Sequence, residues 1–151
     1  MTPEEIASLG KVGAAAALGL SALGSALGTG AAGMAAVGAW KKCYAQNKLA
    51  PFMLISFVGA PLTQTLYGFI MMNSIRTALL AGSPWQGLLG SGIFGGLAVG
   101  MSAWMQGKAG AAASDALGET GQGFGNYLMV LGVIETVALF VMVFLLMAVG
   151  K

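Results

Sequence analysis

The sequence of 151 residues has no histidine and a single cysteine, Cys43. These two shortages exclude Cys/His metal centres, a Ser-His-Asp triad and any internal disulfide. Charge is also scarce: 8% of residues are Asp, Glu, Lys or Arg, about a third of the ~25% found in an ordinary soluble domain. So few charges cannot cover a globular surface, which excludes a soluble monomer. Seven basic residues against five acidic ones leave a net charge of +2, too little for the electrostatic footprint of a nucleic-acid binder. Glycine and apolar side chains fill the gap, with 25 glycines, 57% hydrophobic residues and a mean hydropathy of +0.82. The glycines follow no Gly-X-Y period, so collagen is excluded as well. What remains is a Gly-rich integral membrane protein.

A helix that crosses a bilayer needs about 20 mostly apolar residues, and four segments qualify. They run from about Val12 to Ala39, from Pro51 to about Ile75, from near Gln86 to about Leu117, and from Tyr127 to Val149. The N-terminal run Met1-Thr2-Pro3-Glu4-Glu5 is acidic, unlike the basic start of a cleavable signal peptide. The expected fold is all-α, with four transmembrane helices forming two tandem helical hairpins, residues 1–78 and 79–151. The first loop carries Lys41, Lys42 and Lys48, whereas the loop Gly118–Gly123 is acidic. Counting only Lys and Arg, the positive-inside rule puts loops one and three in the cytoplasm. Met1, Ser83 and Lys151 are then external.

The two halves match weakly but in order. Leu27-Gly28-Thr29-Gly30-Ala31-Ala32 aligns with Gln106-Gly107-Lys108-Ala109-Gly110-Ala111, and Gly59, Thr63 and Leu66 align with Gly132, Thr136 and Leu139. Leucines in the first half, Leu27 and Leu62, thus stand where the second has Gln106 and Glu135. Coincidence between two Gly/Ala-rich stretches and a genuine duplication are both open on this match; parallel repeats recur among membrane transport proteins. Small residues recur every fourth position in the first helix (Ala17, Ser21, Ser25, Thr29, Gly33) and in the third (Gly92, Gly96, Gly100). Such stripes let helix backbones approach closely in lipid. The second and fourth helices are built from bulky side chains, and this asymmetry suggests a ring of two concentric layers.

Glu135 is the central residue. It lies eight residues after Tyr127 and fourteen before Val149, deep in the bilayer at ~1.5 Å per residue. An acidic group there costs roughly 2.5–3.5 kcal/mol on insertion scales and ordinarily serves transport. On the second helix Ala60, Thr63, Gln64 and Tyr67 share one face, beside Pro61, which has no N–H for the carbonyl of Phe57. The plainer reading of that face on its own is a kinked helix with polar side chains bonding a neighbour. Gln106 adds an amide near the middle of the third helix. Lys108 lies about 200° around from it and reads as a charge near the helix end. Together the Glu135 carboxylate, the Gln64 and Gln106 amide oxygens, the Thr63 hydroxyl and a backbone carbonyl near Ala60 form an all-oxygen set. Hard cations select such oxygens. One carboxylate with neutral partners balances a single positive charge, and the surplus of oxygens favours Na⁺ over a proton.

At these residues the chain resembles a known family. Pro61-Leu62-Thr63-Gln64-Thr65-Leu66-Tyr67-Gly68-Phe69 and the pair Glu135-Thr136 are similar to the membrane proteolipid of V-type and A/V-type rotary ATPases, whose rings form the rotor. The resemblance to the Na⁺-translocating members implies a ligand set: the main-chain oxygen of Ala60, the side chains of Thr63 and Gln64, Gln106, and Glu135. It also implies that Tyr67 hydrogen-bonds the carboxylate and locks the occupied site. Leu62, Val137 and the alanine before Pro61 depart from the family's usual residues. The implied partners are identical subunits in a ring, a static membrane subunit with an arginine, central-stalk subunits on the cytoplasmic side, and membrane lipid. The implied location is a prokaryotic plasma membrane, crossed several times. The chain has no Gly-x-x-x-x-Gly-Lys-Ser/Thr loop, so ATP would be handled by other subunits. A proton-carrying ring, an oligomeric channel lined by Glu135 and a structural four-helix scaffold are the competing readings. The last two leave the polar stripe on the second helix without a purpose.

Overall fold

The computed structural model describes residues 2–150, all helix and short connections with no strand among them. The expected external placement of Met1 and Lys151 concerns residues outside that range. Helix α1 (Pro3–Ala45) starts at a capping box, in which the Thr2 hydroxyl accepts from the Glu5 amide and the Glu5 carboxylate accepts from the Thr2 amide. The second span is broken: α2 (Leu54–Gly59) leads into a 3₁₀ turn, Ala60–Leu62, and α3 (Thr63–Leu80) follows. Helices α4 (Trp85–Thr120) and α5 (Phe124–Val149) form the second hairpin. All four spans are long and apolar enough to cross a membrane, as expected from sequence.

Two of the helices are much longer than a bilayer requires. With 43 and 36 residues, α1 and α4 measure about 65 and 54 Å at ~1.5 Å per residue, against a hydrocarbon core of ~30 Å. Both therefore project beyond it. Helix α4 continues to Thr120, so the third loop is shorter than the Gly118–Gly123 segment suggests. Gly118 serves packing instead of a turn, because a Cβ there would press on Ala39. The turn uses Gly121 and Gly123, both at positive φ (67° and 89°), where a Cβ is disfavoured. Outside the apolar Val12–Ala39 and Gln86–Leu117 segments, Lys42 and Glu119 form an exposed ion pair linking the ends of α1 and α4. The hydrogen bond to Glu119 raises the Lys42 ammonium above its usual range and holds the Glu119 carboxyl below its own.

Helices α1 and α4 meet without side chains between them. A Cβ on Gly24 would collide with the backbone of Gly100, one on Gly92 with Gly13, and one on Gly107 with Gly28. In lipid, where no hydrophobic force drives helices together, this backbone-to-backbone contact supplies the attraction. The Gly92/Gly96/Gly100 stripe of α4 behaves as its spacing suggests. The Ala17–Gly33 stripe of α1 turns mostly toward the second span, with Ser21 against Gly68 and Gly33 near Val58. Helix α1 thus carries a separate small-residue face for each neighbour. Helix α5 is held most lightly, burying only Leu131, Ala138 and Val149 of its 26 residues.

The α1–α4 contact makes a prediction with a built-in control. Gly107→Ala should destabilise the protein by at least the ~1–3 kcal/mol of an overpacked core. Gly90→Ala, which meets nothing within 4 Å, should be neutral or slightly stabilising because alanine is the better helix former. Thermal melting of the two variants in detergent checks the difference.

Candidate functional site

Pro61 sets up the site. It cannot donate to the Phe57 carbonyl, so the helix tightens into the Ala60–Leu62 3₁₀ turn and restarts at Thr63. The released carbonyl faces Gly110 of α4, where a Cβ would stand 2.9 Å from the Phe57 oxygen. The Thr63 hydroxyl lies 3.0 Å from the Ala60 carbonyl and 3.1 Å from Gln64 Oε1. Its single proton can serve only one of them at a time. The restarted helix then presents Thr63 and Gln64 at its first turn and Tyr67 one turn later.

The three helices converge through these side chains. Gln64 Nε2 donates to Gln106 Oε1 at 2.8 Å. Gln106 Nε2 donates to the Leu131 carbonyl at 3.0 Å and approaches Glu135 Oε2 at 3.4 Å. The Tyr67 hydroxyl donates to Glu135 Oε1 at 2.9 Å. Both glutamines are fully buried, where an unpaired amide costs several kcal/mol, so the chain of bonds is obligatory. Glu135 itself is half-buried. It receives neutral donors on both oxygens, and among the described residues the one ion pair, Lys42–Glu119, lies elsewhere. No group of three or more Cys, Asp or Glu side chains suited to a metal occurs among them. The site thus offers one carboxylate among neutral side chains.

Every site residue expected from sequence lies in this network, and Gln106 reaches Glu135 through its nitrogen, its oxygen being occupied by Gln64. Lys108 is exposed with its ammonium 5.4 Å from the Trp104 ring, away from buried Gln106. Two participants escaped the sequence reading. The Leu131 carbonyl accepts from Gln106, and the Ser102 hydroxyl donates to the Ile134 carbonyl at 2.9 Å. The available signal for Ser102 was its position four residues before Gln106, on the same face of α4.

Removing the phenolic donor tests the grip on the carboxylate. Tyr67→Phe should increase the rate at which a carbodiimide modifies Glu135 by about three- to ten-fold, the worth of one hydrogen bond. Mass spectrometry of the labelled peptide gives the rate, and an unchanged rate would show that Tyr67 does not guard the carboxyl.

Comparison with known proteins gives two matches. Residues 89–148, which contain Gln106 and Glu135, match the C-subunit family of ATP synthase. The chain is also similar to the A-type ATP synthase subunit K of Methanocaldococcus jannaschii, with 36% identity over 143 residues. That alignment covers 94% of this chain and 62% of the relative, so the chain spans somewhat under two thirds of the relative's length. The two matches support kinship with the C and K membrane proteolipids of ATP synthase for a four-span integral membrane protein with one acid on its last helix, bonded to side chains of two others.

Proposed function

We propose that this chain is the ion-carrying subunit of a rotor ring in an A-type or V-type rotary ATPase, and that its ion is Na⁺. The observation carrying the proposal is the single Glu135 carboxylate, which sits mid-span, receives donors on both oxygens and has no cation beside it among the described residues. An ionised group at this depth calls for a compensating positive charge. Na⁺ would be held by Glu135, the Thr63 hydroxyl, the Gln64 and Gln106 amide oxygens and the Ala60 carbonyl, with Tyr67 locking the filled site. Loading requires the Gln106 amide to turn its oxygen inward, and that turn frees Gln64 Nε2 from its present acceptor. The two glutamines would therefore rearrange together.

In this reading identical subunits form a two-layered ring, surrounded and filled by lipid. Glu135, on the lightly held α5, delivers its ion where the ring meets a static membrane subunit. An arginine there would compete for the carboxylate and expel the ion into one half-channel, and a second half-channel would refill the site. One charge crossing 100 mV is worth only ~2.3 kcal/mol, so ATP synthesis or ATP-driven pumping must draw on several subunits. The paired ends of α1 and α4 at Lys42 and Glu119 would present loops one and three together to a central stalk on the cytoplasmic side. A proton-carrying ring is the second reading. It is favoured by the Gln106 nitrogen facing Glu135, which suits a hydrogen-bond partner better than a ligand.

Carbodiimides attack the protonated carboxyl, so Na⁺ should protect Glu135 from labelling, and more effectively as rising pH removes the competing proton. Thr63→Ala or Gln64→Ala should weaken that protection without abolishing labelling. Labelling that is indifferent to Na⁺ at every pH would select the proton reading. Glu135→Gln should assemble yet lose all coupling between ion transport and ATP turnover in reconstituted complexes, and coupling that survived would refute the assignment of Glu135.

A further inference from the structure

We infer that Ser102 is a positioning residue that, together with Gln106, fixes the rotation of α5 and so the direction in which Glu135 points; this rests on reading Glu135 as the ion carrier. Serines in apolar helices ordinarily return their hydroxyl to the carbonyl four residues back in their own helix. Ser21 does so to Ala17 (2.7 Å) and Ser114 to Gly110 (2.9 Å). Ser102 does not: its hydroxyl crosses to the Ile134 carbonyl of α5 at 2.9 Å. One turn further along α4, Gln106 Nε2 takes the Leu131 carbonyl at 3.0 Å. The two carbonyls belong to the turn that ends at Glu135, and Leu131 is the residue whose carbonyl pairs with the Glu135 amide in a regular helix.

These two bonds matter because α5 has few other anchors. Only Leu131, Ala138 and Val149 are buried along its length, and apolar contacts with α4 and α3 tolerate small rotations. Successive residues are 100° apart around a helix, so even a fraction of one step would carry both carbonyls off their donors. The Ser102 bond is untouched when the Gln106 amide turns to admit the ion, so α5 keeps its phase while the cargo comes and goes, and the movement falls to the side chains of Glu135 and the two glutamines. Ser102 touches neither the ion nor the carboxylate; it acts through the backbone.

The test uses the intact protein in lipid vesicles, with Ser102→Ala compared against Ser114→Ala, an equally buried hydroxyl of α4 whose bond stays within its own helix. Two quantities are read: the ¹³C shifts of the Ile134 carbonyl and the Glu135 carboxyl by solid-state NMR, and the Na⁺ concentration that half-protects Glu135 from carbodiimide. Ser102→Ala should move both shifts and raise the half-protecting concentration about five-fold, the worth of one hydrogen bond, whereas Ser114→Ala should change neither. If Ser102→Ala fails to assemble, Ser102→Cys, a poorer donor of similar size, should move the same quantities by less. An Ile134 shift with the Glu135 shift unmoved would overturn the proposal and leave Ser102 a mere packing contact. Should Na⁺ give no protection even in the unaltered protein, the choice of Na⁺ fails, and the Glu135 shift still decides the role of Ser102.

Discussion

A carboxylate within an apolar helix needs partners that lipid cannot supply, and the layout around Glu135 follows from that requirement. The partners must come from other helices, must be close, and must themselves be satisfied. Tyr67 and Gln106 meet the first condition. Gln106 is then a buried amide with its own needs, met by Gln64 and the Leu131 carbonyl, and Gln64 turns to Thr63. The chain of bonds ends at the proline-broken turn, where the Thr63 hydroxyl meets the Ala60 carbonyl.

The close approach of α1 and α4 serves the same end at a larger scale. With glycine at the contacts, the two helices form a stiff pair against which the second span and α5 lean. Gln106 projects from that pair fully buried. The bulkier helices, α3 and α5, can thus bring Tyr67 and Glu135 together across a short gap. Leu62 and Leu27, which the weak match between the halves sets against Glu135 and Gln106, both stay half exposed (54% and 50%). The first hairpin supplies Thr63, Gln64 and Tyr67 to the acid of the second hairpin, so one site draws on both.

Much of this was legible in the sequence because membrane proteins leave few choices. Four apolar runs, one mid-run acid and a polar stripe beside a proline allow a short list of arrangements, and Glu135, Gln64 and Tyr67 stand out by being costly where they are. Other features are set by three-dimensional details that composition does not encode. Ser102 looked like any small residue of a glycine-rich helix, since nothing in the sequence tells whether a hydroxyl bonds its own helix or the next. The orientation of the Gln106 amide depends on what Gln64 offers it, a relation between residues 42 positions apart. The Ala17–Gly33 stripe was visible as a close-packing face, but its neighbour was not, because α1 has two such faces. Gly118 read as part of a turn and proved to be a packing position against Ala39.

The outer side of α5 has a mechanical consequence. Val133, Val137, Phe140, Phe144 and Met147 are all exposed there, and the hydroxyl of exposed Thr136 is already committed to the Val133 carbonyl at 2.7 Å. The five apolar side chains offer no directional bond to a neighbouring surface, and Thr136 has no proton left to donate. In the ring proposed above such a face would behave as a greased bearing: contacts would trade one hydrocarbon neighbour for another at nearly constant energy, so sliding would meet little friction. Glu135 lies roughly on the opposite side of the helix from Val133 and Val137, turned to Tyr67 and Gln106, so the charge is kept off this apolar face.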